Sequence, residues 1–183
     1  MVFLSSGHNS KSKTIKQDPG AIGNGFKEGD LTIEFKNLVS KELTLLGVAH
    51  AVDSEEENLQ MWVNRIATGS ASVVIEYHFD AASPEATGTT SLVEIDRDKN
   101  DVGFATDLVN ATATTLGIKN RGVKTEADTR HKRLALMAET GIVCLHEICF
   151  ITNKNDVAKY QANKLQLAKT HAAIIKKYED LIK

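Results

Sequence analysis

The chain has 183 residues, 42% of them hydrophobic, and a formal net charge of -2. That length suits one domain, residues 1–183, with a sizeable core, and the near-neutral charge leaves no electrostatic footprint for nucleic acid. No apolar stretch approaches the ~20 residues of a membrane span. No basic n-region or cleavage site precedes the first apolar run, so synthesis in a cytoplasm without a signal peptide is expected.

Residues 1–8 predict a short first strand. A polar loop follows from Asn9 to Gly25, with Lys11, Lys13 and Lys16 and the turn Asp18-Pro19-Gly20. A helix is predicted from about Gly29 to Leu46, with Leu31, Phe35, Leu38 and Leu45 on one stripe and Gly47 closing it. Glu28 stands at its start, where a carboxylate favours the positive end of the helix dipole. Val48–Val52 predicts a second strand. Ser54 and Glu57 have the spacing of a capping box that opens a helix to about Thr68, burying Leu59, Trp62 or Val63, and Ile66.

Ser72–Phe79 predicts a central strand whose Val73, Val74, Ile75 and Tyr77 suit burial on both faces. A loop with Pro84 leads to a strand at Thr90–Ile95. A helix ending near Leu116 should bury Phe104, Leu108, Thr112 and Leu116. Gly117–Arg130 is expected to be mostly loop. Two strands are predicted at Leu134–Met137 and Ile142–Glu147. A final helix from about Asn155 to Ile182 carries Val157, Tyr160, Leu165, Ala168, Ala172, Ile175 and Leu181 on its apolar side, and its lysines read as a solvated face. Strands alternating with helices predict an α/β fold: a mostly parallel twisted sheet of about six strands with helices on both faces, phosphorylase/hydrolase-like.

Three apolar runs end in titratable groups. Val2–Gly7 leads into His8, Ser72–Tyr77 into His78, and Ile142–Leu145 into His146-Glu147. Ligands and catalytic groups of open α/β sheets gather beyond the carboxyl ends of the strands. Catalytic zinc sites use three protein ligands from His and Asp or Glu and leave a position for water. A carboxylate that is not a ligand can then move the proton. His8, Glu28 and His78 provide such a ligand set, with Glu147 as the base. Read residue by residue, a lone histidine at a strand end is more often structural.

Ser6-Gly7-His8, then Asp18-Pro19-Gly20-Ala21, then Lys27-Glu28-Gly29-Asp30-Leu31-Thr32 resembles the start of the type-3 family of zinc-dependent N-acetylmuramoyl-L-alanine amidases. Tyr77-His78-Phe79-Asp80-Ala81 resembles the second histidine motif of that family. Lys119-Asn120-Arg121-Gly122-Val123-Lys124 resembles the loop before the last strands, and Leu145-His146-Glu147-Ile148-Cys149-Phe150-Ile151-Thr152-Asn153 the segment with the catalytic glutamate. The motifs come in the family order over nearly the whole chain. The resemblance implies Zn2+ held by His8, Glu28 and His78, with Glu147 catalytic. It implies peptidoglycan as substrate, cut at the amide between N-acetylmuramic acid and L-alanine of the stem peptide.

Two positions depart from the family. Glu76 replaces the usual serine two residues before the second histidine. On a strand it shares a face with His78, so it is a candidate to orient that ring from behind, with a core or solvent partner the equal alternative. Asp80 replaces the usual asparagine and is a candidate substrate contact, as are Arg121 and Lys124 for stem-peptide carboxylates. The loop after His8 is long and lysine-bearing rather than glycine-rich. Cys144 and His146 share a face and form a weaker metal pair, because mid-strand cysteine usually packs as a small hydrophobe. His146 should point away from the site. His50, His131 and His171 are expected to be structural or surface residues, and Arg65 an ion-pair residue. The expected protein is a monomeric wall-lytic amidase, a phage lysis enzyme or the catalytic domain of an autolysin. The alternatives are a zinc peptidase cutting within the stem peptide, or a wall-binding module with a dead site.

Overall fold

The runs of β-branched and aromatic residues do become strands, and their order puts the longest two at the centre. The computed structural model describes residues 1–130 and 132–183, so His131 lies outside the described residues. The strands are β1 (Val2–Ser5), β2 (Ile22–Gly23), β3 (Phe26–Lys27), β4 (His50–Val52), β5 (Val73–Asp80), β6 (Thr89–Val93), β7 (Asn120–Thr125) and β8 (Ile142–Phe150). The helices are α1 (Glu28–Leu45), α2 (Leu59–Arg65), α3 (Lys99–Leu116) and α4 (Lys154–Leu181). The main sheet has six strands in the order β4-β1-β5-β8-β6-β7. β4, β1, β5 and β8 run parallel, while β6 is antiparallel to β8 and parallel to β7. This is the expected mostly parallel α/β sheet.

The two faces are covered unequally. Val2, Leu4, Ile75, Tyr77, Phe79 and Cys144 meet α1, α3 and α4 in the larger core. Phe3, Val74, Leu92, Val143 and Leu145 form the smaller core with Trp62 of α2 and with Leu136 and Met137. Long helices thus make one face rigid, and the lightly covered face keeps room for a site. Among the described residues no helix is long and apolar enough to cross a membrane.

Several local expectations change. Ser54 does not open a helix: its N–H donates to Glu57 and its hydroxyl accepts from Glu56 N–H, closing a turn. Asn58 caps the shorter α2, its side-chain oxygen accepting from Met61 N–H at 2.9 Å. Glu57 is taken by Arg65, whose Nε lies 2.5 Å from it and whose guanidinium covers the Trp62 ring. Leu134–Met137 is not a strand, since Ala135–Ala138 forms a 3-10 turn that packs on α2. Residues 120–125, expected as loop, pair with β6 as an edge strand. Residues 22–23, within the stretch expected as loop, pair with residues 26–27 ahead of the expected helix to form the β2–β3 hairpin. In α1 the buried stripe runs Phe35, Val39, Leu43 at i+4 spacing, which turns Leu45 out to solvent; Leu165 and Leu181 of α4 are likewise exposed, with Leu167 inside.

A polar chain crosses the larger core. Ser91 Oγ meets His146 Nδ1 at 2.8 Å, Thr112 Oγ1 lies 2.9 Å from His146 Nε2 and 2.8 Å from His171 Nε2, and His171 Nδ1 faces the Tyr77 hydroxyl at 3.3 Å. All five side chains are buried. Cys144 is buried beside this chain with its thiol on the Leu145 carbonyl, and it makes no metal cluster with His146 among the described residues. Burial holds both imidazoles neutral, lowering His146 to about 3 and His171 well below its ordinary value, with the neighbouring His146 adding to the latter. The unfolded chain therefore takes up more protons as pH drops below ~6.5, so stability present above that pH is lost on acidification. Each ring should contribute a slope of about 1.4 kcal/mol per pH unit. Urea unfolding between pH 6 and pH 4 should show His171→Phe less acid-sensitive than the parent by roughly that slope.

Candidate metal centre and groove

Parallel pairing brings the carboxyl ends of β1, β5 and β8 side by side. Ser5 is in register with Glu76, and His78 with Glu147. His8 follows β1 after a tight turn in which Gly7 has φ +65°. A Cβ at Gly7 would collide with the His78 ring. Gly20 has φ +64°, and a Cβ there would come within 2.6 Å of Glu28 and 2.7 Å of His8. These close approaches are the physical content of the Gly7-His8 and Asp18-Pro19-Gly20-Ala21 motifs.

Glu28 is the first residue of α1 and is buried. Its Oε2 accepts from Ala21 N–H at 2.8 Å, and its Oε1 accepts from Phe79 N–H at 3.0 Å. The same Oε1 lies 3.2 Å from His8 Nε2 and 3.0 Å from His78 Nδ1. One ligand atom from each of His8, Glu28 and His78 lies within 4.8 Å of the others. The outer nitrogens are also engaged: His8 Nδ1 meets Asp18 Oδ2 at 3.0 Å and His78 Nε2 meets Glu76 Oε1 at 2.5 Å. Protons on those outer nitrogens leave a lone pair on His8 Nε2 and on His78 Nδ1 pointing at the shared point. The donor set, two imidazoles and one carboxylate backed by two further carboxylates, fits a zinc ion.

The charges agree with that geometry. Burial works against ionisation of Glu28, but hydrogen bonds to His78 and His8 outweigh it and hold the carboxyl well below the usual range. Burial likewise opposes protonation of His78, yet the Glu28 and Glu76 carboxylates hold its proton affinity well above the ordinary value. Glu147 differs: burial pushes its carboxyl up to about 8, with His78 pulling down and Asp80 pushing up. Its Oε2 is buried with no hydrogen-bond partner among the described residues. A divalent cation beside it would add to the downward pull and favour the base form.

Two anchors that the sequence did not single out hold the His8 turn. Asp53, where β4 ends, accepts on Oδ2 from Ser5 Oγ (3.0 Å), Ser6 N–H (2.9 Å) and Ser6 Oγ (3.1 Å). Its Oδ1 is 2.5 Å from Lys36 Nζ, two turns along the helix that begins at Glu28. Glu56 gathers Ser12, the Lys13 N–H and Thr14, and so ties down the lysine-bearing loop. Asp53 carries the signal already used for the histidines, an acid at a strand end; Glu56 carries none. The sequence places Asp18 in a turn and in the Asp18-Pro19-Gly20-Ala21 motif, without marking it as the partner of His8 Nδ1.

The remaining candidates separate. Asp80 and Lys124 line the groove beside Glu147, whereas the Arg121 guanidinium lies over the Phe150 ring and its Nη1 donates to the Thr87 carbonyl at 3.4 Å. His146 points to the opposite face, in register with Tyr77. His171 is buried, and His50 is held by Ser40 and the Val48 carbonyl.

A family model described as N-acetylmuramoyl-L-alanine amidase matches residues 2–177. The chain belongs to that family. YqiI of Bacillus subtilis is 25% identical over 173 residues, covering 90% of this chain and 77% of YqiI. The N-acetylmuramoyl-L-alanine amidase LytC of Bacillus subtilis is 28% identical over 164 residues, 86% of this chain and 31% of LytC. Among solved structures, the amidase AmiC2 of Nostoc punctiforme superposes with a TM-score of 0.79 at 21% identity, over 98% of this chain and 96% of that one. This amidase thus shares the fold of AmiC2, and its sheet presents the strand-end residues described above.

The buried Lys36–Asp53 pair joins the helix that carries Glu28 to the turn that carries His8. Lys36→Met leaves the Asp53 carboxylate buried without its cation, so urea unfolding should register a loss of about 3–5 kcal/mol. The double variant Lys36→Met/Asp53→Asn should recover part of that loss.

Proposed function

We propose that this chain hydrolyses the amide between N-acetylmuramic acid and L-alanine of peptidoglycan with a zinc ion held by His8, Glu28 and His78. The observation that carries this reading is the convergence of those three side chains beside an unpartnered glutamate. Zinc, when bound, polarises the amide carbonyl and makes an attacking water more acidic. Glu147 accepts the water proton and returns it to the nitrogen of the leaving alanine, as its buried, hydrogen-bond-free oxygen allows. Breaking the C–N bond leaves a lactyl carboxylate on the sugar and a free amine on the peptide. Glu76 and Asp18 orient the two imidazoles, fixing which nitrogen faces inward. Asp80, beside Glu147 in the groove, is placed to meet the substrate near the cut bond.

Digestion of muropeptides with mass analysis tests the reaction. The expected products are the muramic-acid lactyl carboxylate and a stem peptide with a free alanine amine. New termini within the stem would indicate a peptidase instead. Glu147→Gln should lower the rate by about 10²–10⁴-fold while still binding zinc. His78→Ala should lose the metal in equilibrium dialysis. Glu76→Gln should weaken zinc binding by about 10–100-fold; unchanged affinity in a chelator competition would remove its orienting role.

A further inference from the structure

Glu147 sits where the sheet is least able to aim it. Pairing of β5 with β8 is regular from Val73–Ile142 to His78–Glu147 and then shifts, so that Asp80 faces Phe150. A bulge lets the strand bend and twist at that point. β6, the neighbour on the other side, faces Glu147 with Thr90, and its own pairing with β7 shifts between Thr89 and Ser91. Glu147 Oε2 has no hydrogen-bond partner among the described residues, so that oxygen is steered by the backbone behind it.

The rear face of the sheet supplies the missing hold. His146 is in register with Tyr77 of β5 and with Ser91 of β6. Its buried ring is held at both nitrogens, Nδ1 at 2.8 Å from Ser91 Oγ and Nε2 at 2.9 Å from Thr112 Oγ1 of α3. Thr112 Oγ1 also meets His171 Nε2 of α4 at 2.8 Å, and His171 Nδ1 meets the Tyr77 hydroxyl at 3.3 Å. Thr89 Oγ1 donates to the Glu147 carbonyl at 2.8 Å, holding the backbone just beyond. The ends of the chain decide its proton order, because Thr112 has one hydroxyl hydrogen to place between two Nε2 atoms. If Tyr77 donates to His171 Nδ1, then His171 Nε2–H donates to Thr112, Thr112 to His146 Nε2, and His146 Nδ1–H to Ser91. The reverse order strands the hydrogen of the buried Tyr77 hydroxyl in a dry core.

We propose that His146, fixed as its Nδ1–H tautomer between Ser91 and Thr112, is a positioning residue for Glu147 and sets the angle at which β8 presents that carboxylate beside His78. This rests on the reading of Glu147 as the base. Successive side chains of a strand leave opposite faces, so a turn of the backbone at His146 is passed to its neighbour. A leucine would fill the same space, but apolar contact is non-directional, whereas hydrogen bonds at two ring nitrogens fix the plane of the ring.

The test measures muropeptide cleavage by the zinc-loaded protein. Thr112→Val removes the hydroxyl with little change of shape, and His146→Leu removes the held ring. Both should lower kcat by about 10–100-fold, with KM and zinc affinity within about twofold of the parent. Thr112→Ser, which keeps the hydroxyl, should restore kcat. Leu43→Ala, in the same core but outside the chain, should destabilise the protein without lowering kcat. Parent kcat in either Thr112→Val or His146→Leu, an equal loss in Leu43→Ala, or no recovery in Thr112→Ser overturns the role. An NMR spectrum of the imidazole nitrogens in the folded parent needs no variant to fold. It should show His146 protonated at Nδ1 and His171 at Nε2, and mixed or reversed tautomers overturn the proposal. A parent that cleaves no muropeptide overturns the amidase reading instead and takes the positioning role with it.

Discussion

The carboxylate of Glu28 is the point on which the rest of the structure turns. A carboxylate buried without partners would take up a proton rather than stay charged. Here backbone N–H groups from Ala21 and Phe79 hold both oxygens, and two imidazoles close on one of them. Those imidazoles come from strands that never meet in sequence, with ring centroids 5.0 Å apart. Without the shared anion, two protonatable rings at that distance would repel each other. Glu28 therefore sets both the charge and the geometry of the centre, and the helix behind it has to be held still.

That demand explains the uneven layering. Three long helices pack on one face of the sheet, and the polar chain from Ser91 to Tyr77 runs between them with each imidazole partnered. The opposite face is lightly covered by α2 and a 3-10 turn, so the strand ends open into a groove. The Lys36–Asp53 pair bridges the two regimes, linking α1 on the rigid side to the His8 turn on the open side. Glu147 and His78 are neighbours in register, yet His78 is paired with Glu28 and Glu76 while Glu147 Oε2 is buried without a hydrogen-bond partner among the described residues. Rigidity and reactivity are thus assigned to different faces of one sheet.

What the amino-acid order determined was the fold class, the positions of most of the main-sheet strands, and which strand ends carry chemistry. Apolar runs that stop at His8, His78 and Glu147 are legible because burial tolerates a polar group only where it has a partner or a task. Alternation on one strand likewise put Glu76 on the His78 side and His146 on the other, since side chains alternate with period two. Where local pattern had two outlets, the reading went astray. Ser54 and Glu57 have capping spacing, but Glu57 pairs with Arg65 and Asn58 caps instead. Asn120–Thr125 lacks a strand's apolar content and becomes one because an edge strand needs pairing on one side only.

Tertiary structure alone decided the partnerships. Asp18 and Glu76 each found an imidazole, Asp53 found the Ser5–Ser6 turn and Lys36, and Arg121 went to the Phe150 ring while Lys124 lined the groove. The physical reason is that hydrogen-bond and charge partners are chosen by distance in space, and the sheet order β4-β1-β5-β8-β6-β7 makes neighbours of segments far apart along the chain. Side-chain period is a property of each strand by itself; register between strands is a property of the packed sheet.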